Sequence, residues 1–83
     1  MKVNQRLNKA IMGVVENQIR QLNPPATKET FDRLVREGND PDEARRLIGC
    51  VVASEIFDIL KRMEPYNETR YVNALRKLPE LPE

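Results

Sequence analysis

Apolar residues near the start of the chain recur at steps of three and four: Leu7, Ala10, Ile11, Val14, Val15, Ile19 and Leu22. That is the spacing of one face of a helix, and it predicts a first helix over about 4–22. On a helical wheel these positions fill roughly half the circumference, which is wide for a single packing contact. The run Asn23-Pro24-Pro25 ends it. Pro24 disfavours the helical conformation at Asn23, and neither proline has an N–H to give to the helix ladder.

A short second helix is predicted over about 26–37. Phe31, Leu34 and Val35 form its apolar stripe, Thr27 is the candidate N-cap, and Gly38 is placed to stop it. A helix this short is marginal alone and must dock to persist.

The third helix, about 41–63, has the clearest start. Asp40-Pro41-Asp42-Glu43 reads as N-cap, proline in the first turn, then acids that complement the helix dipole. Asp40 and Glu43 also have capping-box spacing. Twelve apolar residues follow, from Ala44 through Leu47, Ile48, Cys50, Val51, Val52, Ala53, Ile56, Phe57, Ile59 and Leu60 to Met63. They surround most of the helix axis. Ser54, Glu55, Asp58, Lys61 and Arg62 hold one narrow polar sector, which is where solvent is expected to reach. A helix apolar nearly all round is expected to be covered on several sides. Gly49 and Ala53, one turn apart, would let another backbone approach closely.

Glu64-Pro65-Tyr66-Asn67 breaks the chain, and Asn67 caps a fourth helix over about 68–78. Its apolar stripe is Tyr71, Val72, Ala74, Leu75 and Leu78. Pro79 and Pro82 leave 79–83 as an extended tail. With no strand alternation, linker or repeat, 1–83 reads as one all-α domain. The expected architecture is a small four-helix orthogonal or bundle-like arrangement around the long apolar helix.

Composition narrows the chemistry. The chain has 83 residues, no histidine, and one serine, Ser54, in mid-helix. The commonest general base and transition-metal ligand are therefore missing together, and no nucleophile has a partner to activate it. The expectation is a chain that is not an enzyme and carries no cofactor. The single cysteine, Cys50, cannot form an internal disulfide and sits among apolar residues, which fits a packed thiol in a reducing setting. Fourteen basic against thirteen acidic residues give a net charge of +1. That balance gives no broad field for nucleic acid or an anionic membrane. No segment approaches a membrane span, and 3–22 is too polar for a signal peptide, so the cytoplasm is the expected location.

Three clusters could still do more than pack. Asn39, Asp40, Asp42 and Glu43 could hold a cation, but they lack the spacing and glycine of a Ca²⁺ loop, and capping explains them. Glu55 and Asp58 share a face with Arg62, where an Asp58–Arg62 helix salt bridge is expected. Tyr66, Arg70 and Tyr71 cluster at the start of the fourth helix; such a set, if exposed, resembles a protein-interface hot spot. The alternative is that Tyr71 belongs to the core and Tyr66 packs across the turn.

Two blocks carry a resemblance. The first is Asn23-Pro24-Pro25, Thr30, Arg33-Leu34, Gly38, Glu43-Ala44, Ile48-Gly49, Val51 and Glu55-Ile56. The second is Pro65-Tyr66-Asn67-Glu68, Arg70-Tyr71, Ala74-Leu75 and Leu78-Pro79. Together, over about 23–79, they resemble a family of bacterial helical domains of unknown function. The resemblance implies a helical fold and a bacterial or archaeal source. Members of that family often start the long helix with a His-Glu-Ala-x-His run. Here the stretch is Asp42-Glu43-Ala44-Arg45-Arg46, with neither histidine, so no metal or catalytic role carries over.

The amount of apolar surface points to an interaction module. Twelve apolar positions on the third helix and a half-apolar first helix exceed what one small chain is expected to cover. The expected partner is a second copy or another protein, docking on the first helix or across Gly49 and Ala53. Tyr66, Arg70 and Tyr71 are a further candidate surface. A nucleic-acid accessory role through Arg45, Arg46, Lys61, Arg62, Arg70, Arg76 and Lys77 is the first alternative. A weak metal or ligand site at Glu43, Glu55 and Asp58 is the second.

Overall fold

A computed structural model describes residues 5–82, and its elements are four helices: α1 (Gln5–Gln21), α2 (Pro25–Arg36), α3 (Pro41–Arg62) and α4 (Glu68–Lys77). The start expected for α1 at Asn4 lies outside the described residues. Among the described residues there is no strand, and no helix is long and apolar enough to cross a membrane.

Helix α3 is the axis of the fold. It packs against α1, α2 and α4, while α1 packs on α2 and α2 on α4. α1 runs antiparallel to α3: Glu16 pairs with Arg45, and Ile11 and Met12 lie beside Gly49. The core takes Val15 from α1, Leu34 from α2, Ile48 and Val51 from α3, and Tyr71 and Leu75 from α4. Leu78, just past α4, is buried with them, so the tail begins as a turn in which Glu80 N donates to Lys77 O at 2.9 Å.

The helix ends follow local chemistry. Gly38 adopts φ +106°, a conformation that suits glycine. The Gly38 N–H donates to Val35 O and the Asn39 N–H to Leu34 O, both at 3.0 Å. That pair of bonds closes α2 with a Schellman motif. Asp40 Oδ1 accepts from Asp42 N at 2.8 Å and caps α3. The reciprocal half of the expected capping box is not made, because Glu43 turns to Arg46. α3 ends at Met63 with φ 53°, a left-handed conformation that carries an exposed, non-glycine side chain.

Thr27 is not the cap expected for α2. Pro25 occupies the first helical position, where its fixed φ suits it, and Pro24 caps the helix with no side-chain bond. Thr27 is thereby moved one turn inward and buried. Its hydroxyl donates to Gln18 Oε1 at 2.8 Å, and the Tyr71 hydroxyl donates to the same oxygen at 2.7 Å. One amide oxygen thus ties α1, α2 and α4 together. Burial pushes the Tyr71 phenol up to about 12. Tyr71 is therefore a core residue and offers no hot-spot surface.

Candidate interaction surface

The second half of α3 has two sides with opposite fates. On one side Glu55, 6% exposed, faces α4. Its carboxylate accepts from Arg70 Nε at 2.8 Å, Arg70 Nη2 at 2.7 Å and Asn67 N at 3.2 Å. Asn67 Oδ1 in turn accepts from Arg70 N at 3.0 Å and caps α4. This two-pronged guanidinium contact is the strong, oriented form of ion pair. Its hydrogen bonds from Arg70, aided by the bond from Asn67 and the nearby positive charge, hold the Glu55 carboxyl below the usual carboxylate range against the effect of burial.

This corner corrects two expectations. Glu55 does not belong to a solvated sector; it is the buried anchor of the α3–α4 turn. Asp58 does not bridge to Arg62, because its cation neighbour is Arg70 Nε at 3.8 Å. Arg70 also has Glu64 at 3.8 Å, so it is ringed by three carboxylates. Tyr66 remains 47% exposed and meets Tyr71 edge-on with ring centroids 6.0 Å apart. Of Tyr66, Arg70 and Tyr71, only Tyr66 presents a largely open side chain.

The opposite side of α3 lies two residues, or about 200°, around the axis from Glu55. Here Phe57 is 72% exposed and Leu60 69%, followed by Met63 at 89%. The sequence pattern placed these residues under cover, and the structure leaves them open. Helices α1, α2 and α4 all pack on α3, but at the level of Phe57 it is the Glu55 side that α4 covers, so the Phe57–Leu60 face stays open.

Gly49 and Ala53 sit between the buried half and the open half. The chain's own α1 fills the close approach at Gly49: a Cβ there would lie 3.2 Å from Met12 Sδ and 3.5 Å from Ile11 Cγ2. The expectation of an outside partner at Gly49 is therefore corrected. Ala53 is half-buried and, with Cys50, forms the floor of two open grooves. One groove is walled by Asn8 and Met12 of α1, the other by Leu81 and Pro82 of the tail. The five candidate residues thus divide into a tyrosine–arginine corner and a Gly49–Ala53 floor on different sides of α3.

Sequence reasoning missed Phe57, Leu60 and Leu81 as surface. Nothing in the local apolar pattern separates Phe57 and Leu60 from the buried residues of the same helix. Among the described residues no group of three or more histidine, cysteine or acidic side chains is placed to hold a metal ion. Comparison with protein-family models, with curated proteins and with solved structures returns no match.

Proposed function

We propose that this chain is a non-catalytic helical protein-interaction module, and that its contact surface is the open apolar strip of α3 at Phe57 and Leu60, bordered by Ala53 and Leu81. The observation that carries the reading is the exposure of two large apolar side chains one turn apart, where a small domain usually hides such groups. An aromatic anchor with an aliphatic neighbour is the kind of cluster that dominates interface energetics. The absence of histidine and the single mid-helix serine support a non-catalytic role. The lone thiol, Cys50, supports a cytoplasmic setting. The resemblance over about 23–79 to bacterial helical domains of unknown function adds no activity to this reading.

The nucleic-acid alternative is weaker. Arg45, Arg46 and Arg70 are held by Glu16, Glu43 and Glu55, which reduces the field they could offer a phosphate backbone.

A photo-crosslinking benzoylphenylalanine at position 57, expressed in the native cells, tests the reading. Irradiation is expected to give a discrete protein adduct that Leu60→Asp abolishes. The absence of any adduct overturns the proposal.

A further inference from the structure

Building on that reading, we infer that the occupant of the strip is a second copy of this chain, packed antiparallel along α3 about a two-fold axis that crosses the strip midway between Ala53 and Phe57. Cys50, Ala53, Phe57 and Leu60 follow a three-four-three spacing, the seam of two helices packed side by side. Along that seam the first two residues are small and half-buried, and the last two are large and open.

An antiparallel partner matches these halves. The second copy's Phe57 falls opposite Ala53, and its Leu60 falls opposite Cys50. Each large side chain then enters a groove floor, with Met12 on one side and Leu81 on the other. The two-fold axis repeats the same fit at the other end, as an isologous interface requires. A parallel pair would set Phe57 on Phe57 and leave a gap at Ala53.

The helix dipoles point the same way. α3 begins with Asp42 and Glu43 in its first turn and ends with Lys61 and Arg62 in its last. Antiparallel packing opposes the helix dipoles, although Lys61 and Arg62 reach only the level of Gly49 and Ile48 on the other copy, about five residues short of its Glu43. Parallel packing stacks like on like. The overall net charge of +1 adds almost no repulsion between copies.

Area sets the strength. Phe57, Leu60, Met63 and Leu81 leave apolar surface on the order of 400 Å² exposed, at about 150–250 Å² for a whole large side chain. A standard interface buries about 800 Å² per partner. The dimer is therefore a weak, transient one.

Sedimentation velocity on the full chain, from about 1 to 500 µM, reads the association. The wild type is expected to move from 9.7 kDa towards twice that mass with concentration. Phe57→Asp, at a position too open to matter for folding, is expected to raise the dissociation constant at least about thirtyfold with an unchanged circular dichroism spectrum. Mild oxidation reads the register. Leu60→Cys is expected to form a reducible covalent dimer through Cys50, and Leu60→Cys/Cys50→Ser is expected to form none. The wild type is expected to link poorly, because its two Cys50 residues lie about 15 Å apart along the seam.

A wild type that links through Cys50 as fast as Leu60→Cys does overturns the antiparallel register. A chain that stays monomeric throughout overturns the second-copy inference. In that case a position-57 adduct of another mass leaves the interaction-module reading standing, whereas no adduct removes both.

Discussion

Glu55→Ala is expected to destabilise the protein by about 1–3 kcal/mol, the cost of stripping the partners of a buried carboxylate of their hydrogen bonds. In a domain of this size that lowers the melting temperature by roughly 5–20 °C. Thermal unfolding followed by circular dichroism checks it. The effect is large because one carboxylate satisfies both Arg70 nitrogens and the Asn67 N–H that precedes α4. Its loss frees the corner that holds α4 on α3. The same group gives the fold an acid-sensitive term. The Glu55 carboxyl is held below its ordinary value in the folded state by its hydrogen bonds with Arg70. Its stabilisation is therefore complete above the ordinary carboxylate value and is lost as pH falls below that value through the lowered one of the folded state. The wild-type melting temperature is expected to fall between about pH 5 and pH 3, and Glu55→Gln is expected to flatten that fall.

Ile48→Ala is expected to cost about 2–5 kcal/mol in chemical unfolding, through lost apolar burial and the cavity left behind. Ile48 is fully buried in the half of α3 that has neighbours on several sides, with Leu47, Val51 and Val52 around it in the core. No polar group or charge changes in this substitution. A loss below about 1 kcal/mol would mean that the core at Ile48 closes up freely around the missing atoms.

The helices were readable in the sequence because their ends are written in local chemistry. Pro24 and Pro25, Gly38, Asp40 with Pro41, and Asn67 each act within one turn of where they stand, and the observed ends fall within a residue or two of the predicted ones. The core stripes were readable for the same reason: Val15, Leu34, Ile48, Tyr71 and Leu75 repeat at helical spacing. What sequence could not supply was the identity of distant neighbours. Glu55 looks like any polar residue on a helix until Arg70, 15 residues on, is brought against it. Thr27 looks like a cap until its hydroxyl and that of Tyr71 converge on the side-chain oxygen of Gln18. Phe57 and Leu60 look like Ile48 in the apolar pattern. Only the placement of α1, α2 and α4 decides which face of α3 is covered and which is open. Of the candidate surface residues, Gly49 is covered by α1, and Arg70 and Tyr71 are tied into the packing of α4, which only the placement of those helices reveals.

Phe57 and Leu60 lie on an open face of a helix whose other faces are covered, and unfolding of a Phe57→Ser/Leu60→Ser double variant reads that difference. Chemical unfolding would be followed by circular dichroism at a protein concentration too low for self-association. The expected free energy lies within about 0.5 kcal/mol of wild type per substitution, as for exposed positions away from the core. A loss of about 3 kcal/mol or more per residue, the cost of removing such side chains from a packed interior, would place Phe57 and Leu60 in the core and contradict the account.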